Sequence, residues 1–263
     1  MATNMISQER LPLSVQQVAA AQQLGAFVKV YGSSIVRTSI GALVFLVAGI
    51  LFFVGGSIPT DETVATRSVL VIFAVLFVST AIYMLNTVIQ AANQQVYLFQ
   101  RGIIIEKGSQ TQAFPWSQAN EVRQSITRNY RNGVYTGTTY IFTLRHADGY
   151  QVKLGNLTKG IAELGPAIAE GVTRELVPRA LQALRMGQML TFEPFVINQQ
   201  GIGNGREFLP WSQIQPVEVK QGRVTVKKVG TSRGAWSALV AKIPNFLVFT
   251  VVAEEMRRQA GGR

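Results

Sequence analysis

The sequence predicts an α+β membrane protein: a two-helix transmembrane hairpin followed by two copies of one β-rich, helix-capped unit, the second short or degenerate. Three observations predict it. Two long apolar stretches lie close together and contain no Asp, Glu, Lys, Arg or His. Beyond them the pattern changes to short alternating runs punctuated by Asn-Gly and Asp-Gly. Finally, Pro115-Trp116-Ser117-Gln118 recurs as Pro210-Trp211-Ser212-Gln213.

Hydrocarbon about 30 Å thick needs roughly 20 apolar residues of helix. The hairpin is placed at residues 39–92, with spans near 39–58 and 68–90. The loop between them carries Pro59, Asp61, Glu62 and Arg67. Lys29 and Arg37 precede the hairpin and Arg101 and Lys107 follow it, four basic residues on one side against one in the loop. Basic residues gather on the cytoplasmic side of membrane helices. This predicts a multi-pass plasma (inner) membrane protein with two spans and both termini in the cytoplasm. The first apolar stretch follows a long polar segment and exceeds the core of a secretory signal, so an uncleaved hairpin is expected. Ala42, Gly49 and Gly56 recur every seven residues in the first span, and Ala74 and Ala81 do so in the second. Small residues let two membrane helices approach closely, so these positions predict the contact within the hairpin. Without an ionisable group in either span, the hairpin reads as an anchor and not as an ion or proton pathway.

Residues 1–38 read as a cytoplasmic N-terminal segment serving as a juxtamembrane linker. Ser14 and Gln17 have capping-box spacing for a short helix that Gly25 would end.

The formal net charge of +11 is uneven. Residues 1–96 hold four Lys/Arg and three Asp/Glu, leaving twenty-one and eleven for residues 97–263. A basic domain held beside a bilayer is drawn to anionic lipid by about 1 kcal/mol per Lys or Arg near the surface. An ordinary solvated basic surface has the same composition. The chain has no cysteine, which excludes disulfides, thiolate catalysis and zinc-thiolate sites. A single histidine, His146, cannot build a multi-histidine metal site. No metal or cofactor is expected.

After the hairpin, Val96–Glu106 reads as a strand pair or bent strand around Gly102, followed by strands at Gln110–Trp116 and Glu121–Arg128. Asn132-Gly133 marks a turn. Thr138–Arg145 alternates, with Tyr140, Phe142 and Leu144 on one face, and Asp148-Gly149 turns the chain so that Val152 and Leu154 answer them. Ile161, Leu164, Ile168, Val172 and Leu176 have helical spacing, which Leu181 and Leu184 continue. Pro178 predicts a kink or a new helix start.

The chain then begins again. Phe195–Gln200 reads as a strand, Gly201-Ile202 matches Gly102-Ile103, and Leu209–Gln213 matches Phe114–Gln118. Strands follow at Val217–Lys220 and Arg223–Lys228. A helix opens at Pro244-Asn245 and runs towards Arg258, with Glu254 and Arg258 set as an i,i+4 pair. The units are bounded at 94–186 and 187–258, with a tail at 259–263.

A strand, Gly-Ile, a second strand and Pro-Trp-Ser-Gln leading into a third resembles the bacterial pleckstrin-homology-like domain. Leu209–Ile214 and Ile243-Pro244-Asn245 resemble an uncharacterised family of bacterial membrane proteins that carries such modules. The resemblance covers about residues 94–258. It implies the bent, helix-capped sheet and brings no catalytic residues with it.

Few residues are arranged for chemistry. Gly201-Ile-Gly203-Asn-Gly205 resembles a phosphate loop, but a strand follows where a dinucleotide fingerprint needs a helix, so a hairpin turn is expected. His146 falls beside the Asp148-Gly149 turn and reads as exposed. Asn156-Leu-Thr158 matches a glycosylation sequon that a cytoplasmic location would leave unused. Trp116 and Trp211 are structural landmarks of the repeat, half-buried at the ends of equivalent strands. The candidate contact surface is a basic stripe. Period-two geometry places Lys220, Arg223 and Lys227 opposite Val224 and Val226, with Lys228 and Arg233 just beyond.

These readings converge on a non-enzymatic, membrane-anchored scaffold or interaction protein. Its partners would be the lipid bilayer, anionic headgroups, and another protein or a second copy through a sheet edge. A regulatory domain sensing anionic lipid or a small ligand is the second reading, and an enzyme the third. Nucleic acid is not expected as a partner, because the basic residues form no recognised module.

Overall fold

The computed structural model describes residues 11–34, 36–57, 64–92, 94–231 and 234–261. Over these residues it is an α+β chain built from helices and four antiparallel sheets. The first sheet takes a strand from each side of the apolar hairpin. Strand β1 (Phe27–Tyr31) pairs with β2 (Gln94–Phe99), followed by β3 (Gly102–Lys107) and β4 (Gln110–Pro115), in the order β1-β2-β3-β4. Tyr31 lies opposite Val96, so the long excursion between these strands leaves and returns at neighbouring points.

That excursion is two helices, α2 (Val36–Ser57) and α3 (Val64–Ala92). Each is long and apolar enough to cross a membrane, over Thr38–Ser57 and Thr66–Ile89, and most of their side chains are exposed. A hydrophobic surface of this extent is unsuited to water. The buried side chains within the pair include Ala42, Ala74 and Ala81. A β-carbon on Gly49 would lie 2.8 Å from Val78 Cγ2, and one on Gly56 would lie 3.3 Å from Leu70 Cβ. The small residues recurring every seven positions are therefore the line of contact, flanked by Phe45, Phe52, Phe73 and Phe77. Of the loop expected between the spans, Pro59, Asp61 and Glu62 lie outside the described residues.

Residues 11–31 are not a linker. Helix α1 (Leu13–Ala21) covers the outer face of the first sheet, where Val15 and Leu24 pack with Tyr97, Phe99 and Ile104. Val96, Leu98, Ile103 and Ile105 face the other way, into the main core. Burial on both faces accounts for the unbroken apolar run of β2, where one-sided strands alternate. Ser14 does not cap α1. Pro12 stands at the N-cap position, and the Ser14 hydroxyl contacts Glu106.

The chain continues into a three-stranded sheet, β5 (Ala119–Arg131), β6 (Val134–His146) and β7 (Gln151–Gly155), and then into helix α4 (Ile161–Arg185). Phe142, Leu144, Val152 and Leu154 meet Ile161, Leu164, Ile168 and Val172 in one core. A second unit repeats this order. Strands β8 (Leu190–Phe192), β9 (Phe195–Ile197), β10 (Gly201–Gly203) and β11 (Phe208–Pro210) form its four-stranded sheet. Strands β12 (Glu218–Lys220), β13 (Arg223–Lys227) and β14 (Gly234–Leu239) form its three-stranded sheet, and α5 (Phe246–Gly261) closes it. The second unit is short in its strands, as expected, but keeps the same sequence of elements. Its β8 and β9 are joined by Glu193-Pro194, where the first unit carries the whole apolar hairpin. The hairpin thus interrupts the first unit between its first and second strands.

Three local expectations are corrected. Helix α4 runs through Pro166 and Pro178, so Pro178 starts no new helix. Its first part packs on the first core, while Val177, Ala180, Leu181 and Leu184 pack on the second, and Leu176 touches both. Burial on the two cores offsets the roughly 3 kcal/mol that an interior proline costs. On α5 the ion pairs are Glu254 with Arg257 and Glu255 with Arg258, three residues apart, in place of Glu254 with Arg258. The expected tail is helical as far as Gly261.

Candidate functional site

Three surfaces are candidates: the end of the first unit that carries the hairpin, two matching clefts, and the basic stripe. At the hairpin end, Gly32–Ser34 lead from β1 towards α2 and are stitched to the loop after β7. Ser34 N donates to Leu157 O at 2.6 Å and Lys159 N to Gly32 O at 2.8 Å. Ser33 donates its hydroxyl to Ala92 O at 3.0 Å, joining the two ends of the helical excursion. Lys29 on β1 pairs with Glu163 in the first turn of α4 at 2.7 Å, and Tyr31 donates to the same carboxylate at 3.2 Å. The bond from Lys29, foremost, holds the Glu163 carboxyl below its ordinary range. Burial, reinforced by Glu163, pushes the Tyr31 phenol up to about 12. The bonds of Lys29 and Tyr31 to Glu163 join residues more than one hundred positions apart, so local pattern carries no sign of them.

The repeat motif accounts for the second surface. Gly102 lies opposite Pro115, and Gly201 opposite Pro210. A β-carbon on Gly102 would sit 2.8 Å from Phe114 O, and one on Gly201 would sit 2.0 Å from Leu209 O. The glycine and the Pro-Trp-Ser-Gln element are therefore two halves of one close strand crossing. Each proline ends its strand in extended backbone, and Trp-Ser-Gln forms a 3-10 turn. Trp116 and Trp211 are both buried, beyond the half-burial expected. Trp116 packs against Gly171 of α4, where a β-carbon would come within 2.4 Å of its Nε1. Trp211 Nε1 donates to Asn198 O at 3.1 Å. Beside each tryptophan lies an open cleft between the preceding strand turn and the closing helix. The first, about 420 Å³, is lined by Gln100, Arg101, Glu170 and Arg174. The second, about 580 Å³, is lined by Arg185, Gln200, Met256 and Gln259.

The basic stripe is partly self-neutralised. Lys220 lies opposite Arg223, and Glu218 opposite Thr225, so Lys220, Arg223 and Lys227 share a face with Glu218. Val224 and Val226 are buried on the other face. Glu218 pairs with Lys220 and, at 2.5 Å, with Lys227. Hydrogen bonds from Lys220 and then Lys227 hold the Glu218 carboxyl at about 2. Arg223 donates to the Ser237 hydroxyl at 3.2 Å. Lys228 is exposed beyond the strand, and Arg233 lies outside the described residues.

The remaining chemical candidates have structural duties. Gly201–Gly203 is strand β10, and Asn204 bonds the Arg206 and Glu207 amides in the following turn, which is a hairpin and not a phosphate loop. His146 is at the expected turn but is not exposed. Its Nδ1 contacts Asp148 at 2.8 Å, its Nε2 contacts Gln118 at 2.6 Å, and its ring packs on Phe114. Asn156 of the sequon bonds Tyr140 N and Thr138 O on β6. Among the described residues no cluster of His, Cys, Asp or Glu is suited to a metal ion.

No curated protein matches the chain. A family model spanning residues 1–261 does, covering the hairpin and both units together. The chain belongs to the family of unknown function DUF6585.

Proposed function

We propose that this chain is a membrane-anchored, non-enzymatic interaction protein that presents two pleckstrin-homology-like units at the cytoplasmic face of a bacterial inner membrane. The observation that carries this reading is the place of the hairpin. Strands β1 and β2 are bonded neighbours, so both ends of α2–α3 emerge on one face of any bilayer the helices cross. The first unit is then tied to that face by two covalent connections, and the second is fixed to the first through α4. The excess of basic residues flanking the hairpin favours the cytoplasmic side. Four strands, then three, then a helix, repeated twice, support the pleckstrin-homology-like reading of each unit. The edge strand β1, with Val28 and Val30 exposed, offers a surface for strand addition.

Crosslinking in cells followed by detergent purification and mass spectrometry tests the scaffold. Discrete protein partners, or crosslinked copies of the chain, are expected. Recovery of the monomer with lipid alone would overturn it.

A second reading, a sensor of a small ligand, draws on the matching clefts. Their volumes fall within the range of small-molecule sites, and they occupy equivalent places in both units. Thermal stabilisation of the purified chain by a metabolite library, lost in Trp116→Ala or Trp211→Ala variants that remain folded, would support the sensor over the scaffold.

A further inference from the structure

Strands β5 and β6 outrun their sheet. Strand β7 ends at Gly155, opposite Ile141. From the Ile126–Tyr140 pair onward, β5 and β6 continue as a two-stranded ribbon to the turn at Asn132-Gly133. At about 3.3 Å per residue, the seven residues from Tyr140 back to Val134 carry the ribbon roughly 20 Å past the sheet. Isolated two-stranded ribbons are marginal in water, so this one is suited to resting on something.

Its side chains indicate the support. Val122, Phe142 and Leu144 face the core, and the same face continues outward through Ile126, Arg128 and Tyr130. Ile126 is 50% exposed, Tyr130 60%, Val134 67% and Tyr135 55%. Tyr130 and Tyr135 pack edge to face across the tip at 5.9 Å. Residues 126–140 contain Arg128 and Arg131 and no acid. Tyrosine and arginine beside a small apolar tip match the interfacial layer of a bilayer, where aromatic rings sit at headgroup level and cations meet anionic lipid.

Its place agrees. Asn156 grips the base of the ribbon at Tyr140 and Thr138. Two residues later, Thr158 bridges Ser33, which leads towards α2. Strand β5 is parallel to β7, which ends at this junction, so β5 runs towards the hairpin end and beyond it. A second copy is the poorer cover, because a symmetric contact would set Arg128 and Arg131 against the same arginines in a chain of net charge +11.

We propose that the ribbon of residues 126–140 is a second contact with the membrane that α2 and α3 cross. Tyr130, Val134 and Tyr135 enter the interfacial layer, and Arg128 and Arg131 meet anionic headgroups. The proposal rests on the membrane reading of α2–α3 and extends it: the first unit is held in a fixed orientation against the bilayer.

The cysteine-free chain allows a direct test. Single cysteines, Val134→Cys, Ala147→Cys and Val47→Cys, are labelled with an environment-sensitive fluorophore in the full chain. The labelled proteins are reconstituted into vesicles of phosphatidylcholine with or without phosphatidylglycerol, with nitroxide quenchers at defined lipid depths. The label at position 134 should be blue-shifted and quenched at least threefold more by a headgroup-level nitroxide than the label at 147. This contrast should strengthen with phosphatidylglycerol and fall by half or more in Arg128→Gln/Arg131→Gln. An aqueous label at 134 beside a deeply quenched label at 47 would overturn the ribbon contact and leave the anchor standing. An unquenched label at 47 would overturn both. Self-quenching between copies at 134 without lipid quenching would assign the ribbon to a protein interface and overturn the lipid contact.

Discussion

Asn245 completes the edge of β5 at Val122. Its backbone amide donates to Val122 O at 2.9 Å, and its side-chain oxygen accepts from Val122 N at 2.8 Å. Its side-chain amide donates to Asn120 O at 2.9 Å. One residue of the second unit, in left-handed backbone at φ 49°, thus takes the part of a strand beside the first unit. Asparagine suits both demands, since it tolerates that conformation and offers a donor and an acceptor. Ile243, two residues earlier, is fully buried in the second core. The Ile-Pro-Asn element therefore marks the joint between the units.

Asn245→Ala should cost about 1–3 kcal/mol for each polar group it leaves unpaired. Amide exchange at Val122 should accelerate. Asn245→Asp keeps an acceptor for that amide but loses the bond to Asn120, so its exchange should stay slower than in the alanine variant. Equal exchange in wild type and Asn245→Ala would remove the clamp from the account.

The glycines of the repeat should be intolerant of a methyl group. Gly201→Ala drives a β-carbon into the Leu209 carbonyl at 2.0 Å, and Gly102→Ala into that of Phe114 at 2.8 Å. Each should destabilise by about 3 kcal/mol, within the range of severe packing mutations. Gly108→Ala, at φ 61° with nothing near its β-position, should cost about 1 kcal/mol through backbone strain alone. Chemical denaturation midpoints of the three variants check the order.

The hairpin contact predicts a disulfide. Gly49 lies against Val78, so the pair Gly49→Cys and Val78→Cys should crosslink in detergent or membranes. The pair Leu51→Cys and Leu76→Cys, on exposed faces, should crosslink far less. Mobility on non-reducing gels distinguishes them, and equal crosslinking would contradict the small-residue packing.

Glu218 gives the stripe a pH dependence. Its folded value of about 2 lies below the ordinary 4.5, because Lys220 and Lys227 bond the ionised carboxylate. A depressed carboxylate contributes stability above its unfolded value and loses it as pH falls through the folded one. Wild type should therefore lose its stability advantage over Glu218→Gln between pH 4.5 and about 2. NMR titration of the Glu218 side chain should show a midpoint near the lower value. At neutral pH, Glu218→Gln releases two lysines, so binding to anionic vesicles should rise if the stripe faces lipid. Replacing Lys220, Arg223 and Lys227 with Gln should lower it.

Much of the fold could be read locally. Alternation in Thr138–Arg145, the turns at Asn132-Gly133 and Asp148-Gly149, and the small-residue line from Ala42 to Gly56 each have a physical cause within a few residues. Local pattern fails where distant segments decide the outcome. Phe27–Tyr31 pairs with residues on the far side of the hairpin, and no short window contains both partners. Pro178 stays helical because α4 rests on two cores. At the candidate surfaces, the face shared by Lys220, Arg223 and Lys227 followed from period two. The capture of both lysines by Glu218 depends on side-chain packing. His146 reads as exposed because its turn is superficial, while its ring reaches back to Gln118 and Phe114.

The central claim is that the apolar hairpin is an insertion into an otherwise complete unit. Excision tests it most directly. Residues 35–93 are replaced by a short Gly-Asn-Gly turn joining Ser34 to Gln94, as Glu193-Pro194 joins the corresponding strands of the second unit. The shortened chain should leave the membrane fraction, remain soluble without detergent, and unfold cooperatively with the Val96 and Tyr97 amides still protected. A product that aggregates, or that lacks protection in β1 and β2, would contradict it.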